Sequence, residues 1–586
     1  MAQALRQLRA APLRREAPGG GLLRLVPLVT LAVFLAPVGA GLVFTLLPAF
    51  GHLPALGHRG VGLWPWRALF AAPELLGALT LTVATGLAAT LLSTFLALSF
   101  VAACHGSRAF ALLRRLLAPL LAAPHAAVAL GLAFLIAPSG WIVRILSQML
   151  APLSGGWGTP PDLPTLPDPY GLALVLGLVI KETPYLLLMI LAALEQLPAG
   201  RALATTRSLG YGPVAGWVKA VLPQLYPQIR LPIFAVLAFS LSVVDMAIVL
   251  APATPPPLAV LLTRWFADPE LERRLVAAAG ATLQFGLVVG AIGAWLGGER
   301  LVRKLLRPAL SAGGRGGDGR WAARLAAGGA LALAAVAGMA FAGLALWSVA
   351  TRWRYPAVLP DDVTLDSWLR HAQSFARPFW ITLATAAASS IAALALVLGC
   401  LENEQRHGLH PTARALWLLY VPLLVPQISF LFGLQVLLAA LGLDGSWPGL
   451  AWSHLLFVLP YVFLSLAEPW RTLDERYARS ALCLGASPGR VFWRIKLPML
   501  MKPVLFALAV GFSVSVAQYL PTLFAGAGRF ATLATEAVTL STGGDRRAIG
   551  VHAFLLALLP IAAFAGALLL PSRMPGHDGR RRRTGS

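Results

Sequence analysis

The chain has 586 residues, of which 58% are hydrophobic and only 12% are charged, and its mean hydropathy is +0.74. Because soluble proteins carry about a quarter charged residues, this composition excludes a soluble enzyme and indicates a membrane protein. The net charge of +23 does not indicate nucleic-acid binding, since the basic residues concentrate in segments that a cytoplasmic N-terminus would place inside. We expect contact with lipid, cytoplasmic termini and no nucleic acid.

Apolar stretches long enough to cross a bilayer recur along the whole chain. A hydrocarbon core of about 30 Å needs about 20 residues of helix, and backbone in lipid must satisfy its own hydrogen bonds. The sequence therefore predicts an all-α integral membrane protein of about twelve transmembrane helices. The predicted spans are residues 27–50, 79–103, 116–137, 170–193, 229–251, 275–297, 325–349, 379–400, 415–440, 451–469, 503–525 and 551–571.

A polar, glycine-rich stretch in the middle of the chain has the composition of a flexible linker. It leaves six predicted spans on each side. The expected organisation is a cytoplasmic N-terminal segment (1–26), a first transmembrane domain (27–298), a cytoplasmic linker (299–324), a second transmembrane domain (325–571) and a basic cytoplasmic tail (572–586).

The two halves repeat each other. Leu81–Thr85 matches Ile381–Thr385, and matching single residues include Pro124 with Pro426 and Gly131 with Gly433. Because each half has an even number of spans, we expect two parallel six-helix repeats, an architecture that transporters use.

A pair of similar loops follows the fourth span of each half. We call Arg201–Leu225 the first loop and Tyr477–Leu500 the second loop. The positions that they share are Leu209 and Leu484, Gly210 and Gly485, Pro213 and Pro488, Leu222 and Leu497, and Pro223 and Pro498. Each glycine follows a short helix, where a left-handed backbone favours glycine, and each first proline suits the first turn of the next helix.

The local pattern predicts how the second helix of each loop is built. Ser487 is a good N-cap residue. Pro223 and Pro498 are expected to end the helix, since the residue before a proline avoids the helical region. In the second loop, Val491, Phe492 and Ile495 form an apolar stripe, and Arg490, Arg494 and Lys496 are expected to point elsewhere.

This pattern resembles the EAA loop of bacterial ABC-importer permeases, and its two copies in one chain resemble the fused iron(III)/thiamine-type permeases of the inner membrane. The resemblance implies that the loops couple to two cytoplasmic ATPase subunits and that a periplasmic substrate-binding protein delivers the cargo. Ala204 and Arg479 stand where the family has the glutamate of its motif.

We expect no enzymatic activity of the chain itself. The sequence contains no phosphate-binding loop and no cluster with metal-ligand spacing. ATP is therefore expected to bind to a separate partner, with no cofactor or metal in this chain.

Ionisable residues within spans are costly and usually functional. Asp245 is the best candidate, and its counterpart is Gln518, by the match of Ser240 with Ser513. The resemblance implies that this helix lines the substrate pathway, whereas the alternative is a helix–helix hydrogen bond without contact to cargo. Thiamine-like cations, iron(III) and other small solutes all fit as cargo. Further polar residues within spans are interpreted as structural: Lys181, Glu182, His125, Gln427 and His454.

The alternative function is a twelve-span secondary transporter driven by an ion gradient. It accounts for the span count and the parallel halves. It does not predict a duplicated loop between the fourth and fifth spans, and the ABC-importer permease is therefore the favoured interpretation.

Overall fold

A computed structural model describes residues 20–108, 110–112, 117, 121–154, 157–409 and 413–569. The basic tail at 572–586, most of the N-terminal segment and part of the start of the third predicted span lie outside the described residues. Within them the protein is predominantly helical with two short strands, as expected for the predicted all-α class.

The helices follow the apolar runs and their proline and glycine boundaries. The first half contains α1 (Gly20–Ala49), α2 (Trp64–Ala71), α3 (Leu75–Cys104), α4 (His125–Ile136), α5 (Trp141–Ser154), α6 (Leu172–Glu195), α7 (Ala199–Ser208), α8 (Pro213–Gly216), α9 (Leu222–Ser242), α10 (Asp245–Leu250), α11 (Leu258–Phe266) and α12 (Arg273–Ser311). The second half contains α13 (Arg320–Val349), α14 (Asp366–Arg370), α15 (Ala372–His407), α16 (Ala413–Leu424), α17 (Ile428–Ala440), α18 (Trp447–Arg471), α19 (Glu475–Cys483), α20 (Pro488–Val491), α21 (Leu497–Met499), α22 (Met501–Val516), α23 (Leu520–Gly526), α24 (Leu533–Leu540) and α25 (Arg546–Leu569).

A few short elements complete the described part of the chain. Strands β1 (Ala350–Arg352) and β2 (Asp362–Val363) form an antiparallel pair. There is one 3₁₀ turn at Pro54–Leu56, and a π-helical turn lies at Trp217–Val221 and again at Phe492–Lys496.

Ten helices in the described ranges are long and apolar enough to cross a membrane, or twelve if each of two bent pairs counts as one span. The twelve segments correspond one to one with the predicted spans. In the ninth, the helix breaks before Ile428 and turns by 105°, next to Pro426. Proline cannot donate the helical hydrogen bond and clashes with the preceding turn, which explains the break.

Two of the predicted spans are not continuous helices. The prediction of an unbroken helix over 229–251 is wrong, because α9 ends at Ser242 and α10 starts at Asp245, with extended backbone at Val243. The prediction for 503–525 fails in the same way, since α22 and α23 are separated at residues 517–519. The first break is buried at Val243 and Val244, and the second is buried at Gln518 and half-buried on either side of it. Irregular backbone inside a membrane is tolerated where protein covers it.

The first helix of each half packs against the other half. Helix α1 lies along α17 and α15, and α13 lies along α4 and α3. Both crossings use a glycine of the sequence repeat: Gly433 faces α1 and Gly131 faces α13. Small residues allow helix backbones to approach closely, so this exchange joins the two halves into one bundle.

Each half also holds a short buried helix capped by a repeated threonine. The Thr82 hydroxyl accepts a hydrogen bond from the backbone N–H of Leu258 at 2.8 Å, where α11 begins. In the second half, the Thr382 hydroxyl accepts one from Leu533 at 2.9 Å, where α24 begins. The first N–H groups of a helix have no partner within the helix, so this bond fixes the start of each buried helix against α3 or α15.

Candidate functional site

Both loops turn sharply at the predicted glycine. The backbone φ angle is +80° at Gly210 and +84° at Gly485, as the sequence predicts. The Gly210 N–H donates to the carbonyl of Arg207 at 2.9 Å, and the Tyr211 N–H donates to that of Thr206 at 3.0 Å. The second loop forms the matching pair of bonds from Gly485 and the residue after it. This is a Schellman turn, which needs a left-handed residue and therefore favours glycine.

The helix after each turn starts as predicted. Pro213 and Pro488 occupy the first turn, and the Ser487 hydroxyl accepts a hydrogen bond from the Arg490 N–H at 3.3 Å. The first loop has Gly212 at the matching position, so no side chain caps its helix. The two loops thus share their backbone path but differ at the cap.

The prediction that Pro223 and Pro498 end this helix is wrong. The helical path continues through Pro223 into the fifth span, and in the second loop the chain bends by 77° only at Leu500. A π-helical turn precedes each proline, at Trp217–Val221 and Phe492–Lys496. Proline has no N–H to donate, and the wider turn lets the chain pass it without the α-helical bond.

The prediction for Lys496 is also wrong. Its side chain is only 6% exposed, and its Nζ lies 2.7 Å from Oε2 of Glu402, which is 4% exposed. It also donates to the Gln405 side chain at 2.8 Å. A buried ammonium group requires such partners because leaving it unpaired in a low-dielectric interior is costly. The second loop is therefore tied by an ion pair to the end of α15.

The tips of both loops expose apolar side chains. Leu209 is 58% exposed and Leu484 is 89% exposed. Trp493, on the second loop, is 67% exposed, although tryptophan is usually well buried in a monomer. The sequence analysis did not predict that Trp493 is exposed. It could have been predicted, because Trp493 lies on the opposite side of the helix from Val491, which is buried. Exposed apolar patches mark sites of contact with another protein or with a membrane.

Buried side chains fix the loops to the membrane bundle. In the first loop, Trp217 is buried in one cluster with Phe100 of α3 and Leu225 of α9. In the second, the Phe492 ring packs against Trp470 at the end of α18, with ring centroids 5.9 Å apart. A displacement of either loop would therefore move the ends of the spans that it contacts.

The candidate pathway residues lie at the two helix breaks. Asp245 begins α10 and is 8% exposed, and Gln518, 9% exposed, lies in the gap between α22 and α23. The Ser240 hydroxyl is buried and has no hydrogen-bond partner among the described residues, whereas the Ser513 hydroxyl donates to the carbonyl of Ala509 at 2.7 Å. The structure thus places each predicted residue on its broken helix.

Two groups that the sequence interpretation set aside, His125 and Lys181, lie close enough to Asp245 to interact electrostatically with its carboxylate. Tyr519, which the sequence analysis did not consider, also lies near this carboxylate. His125 lies 3.5 Å from Glu182. Lys181 donates to the carbonyls of Leu121 and Ala123 at 2.9 and 2.6 Å, just before the helix break at Pro124.

The second half has a hydroxyl network in place of these charges. His454 contacts the hydroxyls of Ser515 and Thr522 at 2.8 and 3.0 Å, and Ser389 donates to Ser515 at 3.1 Å. The buried polar groups of the two halves therefore differ: the first half contributes carboxylate, ammonium and imidazole groups, and the second contributes hydroxyl, amide and imidazole groups. No group of three or more potential metal ligands occurs in the described part of the chain.

Comparisons with known proteins identify a family and several relatives. Residues 411–571, which contain the second loop and Gln518, match the family described as "binding-protein-dependent transport system inner membrane component". The inner membrane ABC transporter permease protein YnjC of Escherichia coli strain K12 is 31% identical over 511 residues, which are 86% of this chain and 90% of YnjC.

Two further relatives are similar over shorter regions. The molybdenum transport system permease protein ModB of Mycobacterium tuberculosis is 29% identical over 213 residues, covering 33% of this chain and 75% of ModB. The putrescine transport system permease protein PotI of Escherichia coli strain K12 is 30% identical over 179 residues, covering 29% of this chain and 58% of PotI.

Proposed function

The chain belongs to the family of inner-membrane permeases of ABC transporters, and we propose that it couples to its ATPase through the first and second loops. It is the permease subunit of an ABC importer, and the alternative of a gradient-driven secondary transporter is wrong. The observation that carries the proposal is the pair of matching Schellman turns at Gly210 and Gly485, each with an exposed leucine beside it.

Each loop has the properties of a docking element. Its tip is exposed and apolar, and its base is fixed by buried aromatic side chains to the ends of transmembrane helices. One ATPase subunit per loop gives a complex of one permease and two ATPase chains. Since the sequence has no phosphate-binding loop of its own, ATP binds to these partners.

The orientation of the chain follows from the same assignment. The two loops, the linker and both termini face the cytoplasm, which agrees with the concentration of Lys and Arg in these segments. The opposite face receives a periplasmic substrate-binding protein. Each sequence half (27–298 and 325–571) acts as one permease domain, although the first helix of each half packs against the other half.

The substrate pathway runs between the broken helices of the two halves. Asp245 and Ser240 contribute from α10 and α9, and Gln518 and Ser513 contribute from the matching region of the second half. Discontinuous helices at the interface of two repeats are the usual place for a transporter substrate site. The Asp245 carboxylate and the Gln518 amide favour a small polar solute that donates hydrogen bonds. Diamines belong to this class, and one of them, putrescine, appears in the name of PotI.

The test is a glycine substitution at the docking tip with a matched control. Gly485→Glu forces a side chain onto a left-handed backbone, at about 1 kcal/mol, and places a charge on the docking surface. We expect loss of ATPase binding and of uptake in reconstituted vesicles, with normal insertion. Gly442→Glu is the control, because Gly442 also has positive φ (+68°) and open space around it but lies in the loop after α17, on the opposite face.

The outcomes separate coupling from folding. The wild-type chain by itself should show no ATP turnover. When mixed with its ATPase, it should bind two ATPase chains per permease. If Gly485→Glu and Gly210→Glu both retain the ATPase and normal uptake, the loops are not the coupling elements.

A further inference from the structure

The linker between the two halves packs against the first loop. Most of the predicted linker is helical, because α12 continues to Ser311 and α13 starts at Arg320, which leaves only residues 312–319 outside helices. The Gly212 N–H donates to the carbonyl of Arg315 at 2.7 Å. The Lys219 ammonium group donates to the carbonyls of Ala312 and Gly314 at 2.6 and 3.1 Å. Three hydrogen bonds therefore hold the linker backbone against the first loop.

The glycines on both sides make this contact possible. A β-carbon on Gly212 would overlap the carbonyl oxygen of Gly317. On the linker side, Gly316 and Gly319 have φ near +70°, and a β-carbon on either would lie 2.9–3.0 Å from a side-chain carbon of α8. The glycines of the linker therefore allow its backbone to lie close against α8, in addition to any flexibility that they provide.

The second loop has the same backbone turn as the first but no linker packed against its glycine. Its residue at the position of Gly212 is Ser487, which has a side chain and caps the helix. No atom lies within 4 Å of a β-carbon built on Gly485, whereas one on Gly210 would lie 3.5 Å from the Arg315 side chain. The exchange of serine for glycine in the first loop is therefore explained by the linker.

The outer side of the linker remains exposed beside the tip of the first loop. Residues 311–318 are all exposed, and Leu209 is also exposed on the same loop. Among the described residues no carboxylate pairs with Arg315. The positive charge next to Gly210 is thus available to a partner.

We propose that the linker forms part of the docking surface for one of the two ATPase subunits. This inference rests on the proposed coupling role of the loops. One ATPase subunit meets a composite surface of the first loop and residues 312–319, with an acidic side chain facing Arg315. The other ATPase subunit meets the second loop alone, including its exposed Trp493. The two docking surfaces of one permease are therefore not equivalent.

Site-specific photo-cross-linking in the purified complex of permease and tagged ATPase tests the proposal. A benzophenone amino acid is placed at position 315, at position 484 on the second loop, or at position 442 on the opposite face as a negative control. We expect cross-links to the ATPase from positions 315 and 484 and none from 442. Cross-linking from 484 without 315 overturns the composite surface and leaves the coupling role intact. Cross-linking from neither position overturns the coupling role.

A second measurement tests the seating of the linker without the ATPase. Gly212→Ser places a side chain where the linker backbone lies, so trypsin should cleave after Arg315 about tenfold faster than in the wild type, as expected when local order is lost. Ser487→Gly, the reverse exchange in the second loop, is the control and should leave this rate unchanged. Binding of the ATPase should protect Arg315 in the wild type. An unchanged cleavage rate in Gly212→Ser, or faster cleavage when the ATPase binds, would contradict the proposal.

Discussion

Gly433 and Gly41 touch backbone to backbone, since a β-carbon on Gly433 would overlap the carbonyl oxygen of Gly41. The Gly433 N–H also donates to the hydroxyl of Thr45 at 3.0 Å. The same crossing recurs in the other half, where a β-carbon on Gly131 would lie 2.8 Å from the carbonyl oxygen of Ala340. Because α1 and α13 each cross a helix of the opposite half, these contacts join the two repeats.

The first prediction concerns this crossing. Gly433→Val should separate α1 from α17, because overpacking of a close contact typically costs about 1–3 kcal/mol or more. We expect a lower melting temperature of the purified permease and a smaller folded fraction. Gly338→Val is the control, since Gly338 is also within a membrane helix but has no atom within 4 Å of a built β-carbon. Equal melting of the two variants would show that the crossing does not hold the halves together.

The second prediction concerns the buried pair of Lys496 and Glu402. Glu402→Gln leaves the buried ammonium group of Lys496 without its carboxylate, and the loss of one partner of a buried pair typically costs about 3–5 kcal/mol. Lys496→Met should cost less, because Glu402 keeps its ion pair with Arg406 at 2.6 Å. Lys496→Met and Glu402→Gln should each destabilise the second loop and weaken ATPase binding, and the double variant should recover part of the loss. The measurement is thermal unfolding together with ATPase affinity. Fully additive losses in the double variant would show that the two residues do not act as a pair.

The third prediction concerns the substrate pathway. Asp245→Asn keeps the shape of the side chain but removes its charge, so uptake should fall about tenfold or more if the carboxylate binds cargo, since hydrogen bonds to charged groups contribute about 1.5–3 kcal/mol. ATPase binding should be unchanged. Asp268→Asn is the control, because Asp268 pairs with Arg273 outside the buried cluster. Normal uptake by Asp245→Asn would favour the helix–helix hydrogen bond as its role.

The fourth prediction concerns orientation and uses a native thiol. Cys483 is exposed at the end of α19, whereas Cys104 is buried. A membrane-impermeant maleimide should therefore leave Cys483 unlabelled in intact spheroplasts and label it after lysis, less so when the ATPase is bound. Asp444→Cys, in the loop after α17, should label in intact spheroplasts. Labelling of Cys483 from outside would reverse the proposed orientation.

The sequence by itself determined the features that depend on composition and on neighbouring residues. Burial in lipid requires long apolar helices, so the twelve spans could be found from hydropathy alone. The positive φ at Gly210 and Gly485 and the cap at Ser487 are set within a few residues, and the sequence predicted them. The repeat was also visible, because duplicated segments keep the same residues at packing positions such as Gly131 and Gly433.

Tertiary structure decided the features that join residues far apart in the chain. The break before Asp245 has no proline or glycine to mark it, since Val243 and Val244 continue the apolar run, and it is tolerated only because surrounding helices cover it. The partner of Lys496 lies on α15, and the partner of Gly212 lies in the linker. Hydropathy and spacing cannot identify such pairs, because the contact that stabilises them exists only after the helices have packed.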